Sequence, residues 1–116
     1  MKTRYFLGLA FATIKVNGKE IEALIDTGFN GSLMLPLDEV QKSNLKRVGK
    51  AQYTMADGTV SESLIFMAEI EWFNGRKKVP VISSASEFPL IGMELLFYTK
   101  LTIHPSKDVL VIEDGS

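Results

Sequence analysis

The residues best equipped for chemistry are Asp26, Thr27 and Gly28, which follow the apolar run Ala23-Leu24-Ile25. An apolar strand that ends on an acid is unusual, because low-dielectric surroundings disfavour an ionised carboxylate. Gly28 lets the backbone pass close enough for its N–H to reach the acid. The Thr27 hydroxyl can donate or accept beside it. A carboxyl so placed can take up or deliver a proton. One such carboxyl can act as a base or as an acid, and two together can do both on one activated water. The chain has one Asp-Thr-Gly.

The elements that must position this motif read as β. Phe6 to Val16 and Lys19 to Ile25 flank Asn17-Gly18, the strongest short hairpin signal. In the second arm Ile21, Ala23 and Ile25 alternate with Glu20, Glu22 and Leu24. Leu33-Met34-Leu35 is a short strand stopped by Pro36, and Leu37 to Leu45 reads as a surface helix with Asp38 and Glu39 near its start. Gln52 to Ala56 and Thr59 to Phe66 flank a second turn at Asp57-Gly58. Met67 to Phe73 and Arg76 to Ile82 flank a third at Asn74-Gly75. Ser83 to Phe88 is a polar loop closed by Pro89. Leu90-Ile91-Gly92 is a second apolar run ending in glycine, and Glu94 to Tyr98 form a helical turn or two. Leu101 to His104 and Asp108 to Ile112 close the chain as strands around Pro105-Ser106-Lys107. Short strands punctuated by tight turns predict an all-β, barrel-like fold.

The bulk composition narrows the function. A chain of 116 residues suits one domain spanning 1–116 with one modest core. Apolar residues make up 46% and charged residues 23%, as in ordinary globular proteins. A net charge of −1 gives no global drive toward nucleic acid or an anionic membrane. Lys42, Lys46, Arg47 and Lys50, and then Arg76-Lys77-Lys78, read as solvated surface. The chain has no cysteine, which excludes disulfides, thiolate metal sites and a cysteine nucleophile. The apolar run Tyr5 to Ala12 is broken by Gly8 and reads as a strand rather than a signal peptide. No apolar stretch approaches the roughly 20 residues of a membrane span. A cytoplasmic protein with no membrane partner, nucleic-acid partner or cofactor is the resulting expectation.

Taken together, Ala23 to Gly28, Ala56-Asp57-Gly58-Thr59, Leu90-Ile91-Gly92-Met93-Glu94-Leu95-Leu96 and the closing strands resemble the retropepsin-like (clan AA) aspartic proteases. The likeness runs from about residue 5 to residue 113. It is closest in look to the retropepsin-like domain of DNA-damage-inducible ubiquitin-shuttle proteins and their prokaryotic relatives. The resemblance implies a closed small β-barrel, with one short helix after the catalytic loop and a helical turn after Gly92. It also implies a homodimer in which each chain gives one Asp-Thr-Gly, so that Asp26 meets its own copy across a two-fold axis. Two carboxyls about 3 Å apart hold one proton between them, and their titration belongs to the pair. One activates a water and the other protonates the scissile carbonyl, with no metal and no covalent intermediate.

By the same resemblance Thr27 bonds across the axis and Gly28 offers backbone near the substrate. Ala56, Asp57, Gly58 and Thr59 form the tip of a lid over an extended peptide. Phe29 and Asn30 contact that peptide, which binds as an added strand, while Leu90, Ile91 and Gly92 pack beneath the catalytic loop and line the substrate pockets. The chain departs from the family at three side chains and in a lid less rich in glycine than in retroviral members. Phe29 is bulky where a small residue is usual and would narrow a subsite. Asn30 stands where retroviral members often carry an acid, and Met93 replaces the arginine that pairs with it. Removing both charges leaves neither unpaired.

Plainer readings stand beside these. Asp26-Thr27-Gly28 and Asp57-Gly58 can each be simple turns. His104 reads as a surface residue at a strand end and Trp72-Phe73 as barrel packing. Ser32 either satisfies the loop backbone or orients the acid pair. Met34, Met55, Met67 and Met93 read as core or pocket fillers. As whole-protein readings, the leading one is an aspartic endopeptidase. The alternatives are a weakly active or non-catalytic peptide-binding dimer of the same fold and, on the basic clusters alone, a nucleic-acid-binding small barrel.

Overall fold

The computed structural model describes residues 1–85 and 87–115. Three strands open the chain: β1 (Lys2–Phe6), β2 (Leu9–Val16) and β3 (Lys19–Ile25). Next come β4 (Leu33–Pro36), the helix α1 (Leu37–Lys42) and the long strands β5 (Lys46–Thr54), β6 (Val60–Trp72) and β7 (Gly75–Ser84). The chain closes with β8 (Leu90–Ile91), α2 (Met93–Leu96), β9 (Thr99–His104) and β10 (Val109–Asp114). Eight strands form one sheet in the order β1-β2-β3-β8-β4-β7-β6-β5. Lys15 and Val16 of β2 also pair with Glu71 and Ile70 of β6. This pairing returns the sheet on itself and closes six strands into a ring. β9 and β10 form a separate ribbon, tied to β1 by a hydrogen bond from the Thr3 hydroxyl to the Leu110 carbonyl at 2.8 Å.

Alternating strand residues fill the ring. Ile14, Val16, Ile21, Ala23, Leu33, Leu35, Val79, Val81 and Ile91 are buried in one cluster, which Val40 of α1, Leu95 and Leu96 of α2 and Ile112 of β10 join. Burial of each large aliphatic side chain contributes about 1.5–3 kcal/mol, so this cluster dominates the stability of the fold. A second, smaller cluster joins Phe29, Met34, Ile82 and Leu90, with Leu24 and Met55 packed against it. It lies under the loop that carries Asp26.

The expected all-β class and the two short helices are present, with several corrections to the elements. Phe6 to Val16 is not one strand: Leu7 and Gly8 form a tight turn with φ of 50° and 81°, and residues 2–6 pair back on β2. The helix expected to reach Leu45 ends at Lys42, because Ser43 N–H caps back to the Glu39 carbonyl and Asn44 turns left-handed. Lys46, Arg47 and Lys50 therefore lie on β5. The strands expected at 59–66 and 67–73 are one strand, β6. Its hairpin with β7 turns on Phe73-Asn74 rather than Asn74-Gly75, since Trp72 pairs directly with Gly75. Phe73 takes the positive φ there. The expected loop 83–88 starts later, as β7 runs through Ser84, and its Ser86 lies outside the described residues.

Met34 is buried and Met55 packs on the second cluster, but Met67 and Met93 are exposed and fill no core. Trp72 and Phe73 pack edge to face at 5.2 Å against the main core. His104 is exposed.

Candidate active site

Asp26 follows the last residue of β3, which the short parallel strand β8 holds from one side. Leu24 pairs with Leu90 and Ile25 with Ile91. Leu24 N–H donates to the Pro89 carbonyl at 2.8 Å and Asp26 N–H to the Ile91 carbonyl at 2.9 Å. The chain then turns: Phe29 N–H donates to the Asp26 carbonyl at 3.1 Å, and Gly28 N–H donates to Asp26 Oδ1 at 2.9 Å. A backbone donor on a carboxylate oxygen fixes the side chain's rotamer. Asp26 is half-buried and Thr27 beside it is exposed.

α2 braces this loop from below. The first N–H groups of a helix have no partner within it. Here Gly92 N–H donates to the Ser32 carbonyl at 3.0 Å, Met93 N–H to the Phe29 carbonyl at 2.8 Å and Glu94 N–H to the Gly31 carbonyl at 3.1 Å. A Cβ on Gly92 would overlap the Gly31 carbonyl and the Phe29 ring, so only glycine permits this approach. The Ser32 hydroxyl donates to Glu94 Oε1 at 2.8 Å. Ser32 thus serves the brace, not Asp26.

The β5–β6 hairpin lies over the loop. Its tip is a turn from Met55 to Thr59: Gly58 N–H donates to the Met55 carbonyl, Met55 N–H to the Thr59 carbonyl, both at 3.0 Å, and Gly58 takes φ of 84°. Asp57 Oδ1 accepts the Thr59 N–H at 2.9 Å and the Thr59 hydroxyl. The Thr59 hydroxyl first, and then its N–H, hold the Asp57 carboxyl below the usual carboxylate range. Ala56 rests on Gly28, where any added Cβ would overlap the Ala56 methyl and crowd its Cα. Thr54 N–H donates to Asn30 Oδ1 at 3.1 Å. Paired strands lie about 4.8 Å apart, so no strand fits between the hairpin tip and the loop where Ala56 rests on Gly28.

Several expected roles shift accordingly. Phe29 is 0% exposed. Its ring is packed beneath the loop, so it narrows no subsite, and the position tolerates bulk because the ring points inward. Leu90, Ile91 and Gly92 are buried and support the loop from beneath, as expected, but they present no exposed side chain as a pocket lining. Ala56, Asp57, Gly58 and Thr59 share the exposed tip, and Asn30 is exposed at its base. Sequence reasoning missed Thr54 and the Ser32–Glu94 contact. The one available signal was an acid placed just after Gly92 at a helix start.

Among the described residues no group of three or more His, Asp or Glu side chains converges as a metal site, and no helix is long and apolar enough to cross a membrane. A hollow of about 420 Å³ at the Asn17-Gly18 turn includes Lys15, Glu69 and Arg76 but none of the motif residues.

A family model described as "Aspartyl protease" matches residues 12–95. No match was found among curated proteins. Among solved structures, the chain is similar to a retropepsin-like aspartic protease from Rickettsia conorii, with a TM-score of 0.67 and 22% identity over 95% of this chain and 86% of that one. It is also similar to an inhibitor complex of EIAV protease, with a TM-score of 0.62 and 18% identity over 80% of this chain and 90% of the other. The foamy viral protease–reverse transcriptase, solved with an RNA/DNA hybrid, gives 0.58 and 16% identity over 84% of this chain and 14% of that one. At these identities the likeness is one of fold.

Proposed function

The chain belongs to the aspartyl protease family and has the retropepsin-like fold, and on that footing we propose that it is an aspartic endopeptidase active as a homodimer. The observation that carries this reading is the Asp26 carboxylate. It is held at 2.9 Å by Gly28 N–H, at the edge of a loop that contributes no second acid between residues 27 and 32. The missing partner is then the Asp26 of a second copy. In that arrangement the two carboxyls share a proton, because like charges so close cannot both ionise. The charged member takes a proton from water as it attacks the scissile carbonyl, and the protonated member delivers its proton to the carbonyl oxygen. Thr27, exposed beside Asp26, is free to bond across the axis. Exposed Leu7, Leu9, Val109 and Val111 supply apolar surface for a partner. The whole chain, 1–116, acts as one such domain in the cytoplasm.

The substrate is an extended peptide. It enters as a strand once the β5–β6 hairpin lifts from Gly28, and the lid then closes over it and excludes water. A second reading, a peptide-binding dimer that turns over little, is favoured by the lid tip resting on Gly28. No nucleic acid enters either reading: Arg76 stands 3.7 Å from Glu69 and Lys42 3.8 Å from Asp38, which breaks up the basic clusters. Cleavage of a diverse peptide library from pH 4 to pH 7 separates the two. Cleavage that Asp26→Asn abolishes upholds the peptidase. A dimer that binds peptides and cleaves none selects the second reading.

A further inference from the structure

Beside the loop that follows Asp26 lies a cavity of about 190 Å³. Its walls are apolar: Ala51 of β5, Ile65 of β6, and Pro80 and Ile82 of β7. Its polar lining comes from Asn30, Ser32, Gln52 and Glu94. This volume falls short of the roughly 300–1,000 Å³ of a whole small-molecule site, so it suits a single side chain. The cavity includes none of Asp26, Thr27 and Gly28, so that side chain sits away from the scissile bond.

Glu94 sets the chemistry of this cavity. Ser32, itself buried, donates its hydroxyl to Glu94 Oε1 at 2.8 Å. A carboxylate offers about four acceptor positions, so most of its capacity stays open. No ion pair among the described residues includes Glu94. Lys77 lines a separate hollow with it but forms no ion pair with it, since the ion pairs among the described residues involve other groups. A largely apolar pocket that an exposed carboxylate also lines matches a long aliphatic stem with a cationic head, whose stem covers apolar surface while its head stays at the wet rim.

We propose that this cavity is a substrate subsite selecting lysine or arginine, with Glu94 as the specificity-determining residue and Ser32 as its positioning residue. The proposal deepens the peptidase reading and rests on it. The stem lies along Ala51, Ile65, Pro80 and Ile82, and the head meets Glu94. An acidic side chain at the same substrate position is disfavoured by like charge, and a neutral one gains no contact with the carboxylate.

The test is a peptide series with Lys, Arg, norleucine or Glu placed in turn at each position around a cleaved bond. At one position kcat/KM for Lys and Arg should exceed that for norleucine by on the order of tenfold, the worth of one charge-assisted hydrogen bond. Glu94→Gln should bring that ratio near unity, and Glu94→Lys should invert it in favour of the Glu peptide, which a merely structural role would not do. Ser32→Ala should shrink the ratio through KM rather than kcat. If the wild type cleaves no peptide, the same series is measured as binding to Asp26→Asn. A cation preference there that Glu94→Lys inverts upholds the subsite while the peptidase reading fails. A profile that shows no cation preference, or one unchanged by both Glu94 substitutions, overturns the proposal.

Discussion

Ala56, at the tip of the β5–β6 hairpin, stands directly on Gly28, two residues beyond the acid, and a single methyl group added to Gly28 would overlap it. The loop after Asp26 and the β5–β6 hairpin are therefore in contact, and glycine is the residue that allows it. The obstruction includes the Ala56 Cα, which is backbone and cannot swing aside.

Gly28→Ala should therefore force the lid off the loop or distort the Asp26 turn. Overpacking of this kind costs about 1–3 kcal/mol. The expected result is a loss of cleavage with faster amide exchange over residues 54–59. An active variant with an undisturbed lid would show that the contact is incidental.

Asn30 accepts the Thr54 N–H at 3.1 Å and fastens one arm of the lid to the loop. Asn30→Ala removes the acceptor, whereas Asn30→Asp keeps one. A hydrogen bond of this sort is worth about 0.5–1.5 kcal/mol, so Thr54 exchange should quicken by roughly two- to tenfold in the alanine variant. In the aspartate variant it should stay near wild type. Equal protection in all three proteins would show that Asn30 holds nothing.

Phe29 lies wholly inside the small cluster with Met34, Ile82 and Leu90. Phe29→Ala should cost about 3–5 kcal/mol of stability through the cavity it leaves. Denaturant titration reads this directly. A cost below about 1 kcal/mol, typical of surface positions, would place the ring outside the core.

The lid turn also has a defined pH response. The Asp57 carboxyl is held below its usual range chiefly by the Thr59 hydroxyl. A carboxyl depressed in the folded state stabilises it above the unfolded value, and that contribution is lost as pH falls through the folded value. Protection of the 57–59 amides should thus persist from neutral pH through the ordinary carboxylate range and decline only in stronger acid. Asp57→Asn should remove that decline. A decline that begins near neutral pH would refute the assignment.

How much of this was legible beforehand follows from local chemistry. Asn17-Gly18 announced its hairpin because both residues accept the φ values of 48° and 84° that the turn needs. Leu7-Gly8 makes the same turn without the signal, since leucine rarely takes a φ of 50°. β6 looked like two strands because nothing local shows that Phe66 and Met67 continue one ladder; pairing with β5 and β7 on either side carries it through. The Asp-Thr-Gly loop was legible from its residues. The burial of Phe29 was not, because bulk at position 29 fits a subsite wall and a core equally well until the position of α2 is known. Nor was the Ser32–Glu94 contact, which joins residues 62 positions apart.

The central claim is that one active site needs Asp26 from two chains. Its most direct test mixes wild-type protein with Asp26→Asn, allows subunits to exchange, and measures cleavage against the wild-type fraction at constant total concentration. A shared acid pair predicts that activity falls with the square of that fraction, because every mixed dimer lacks one carboxyl. A linear fall would mean that each chain works alone and would contradict the account.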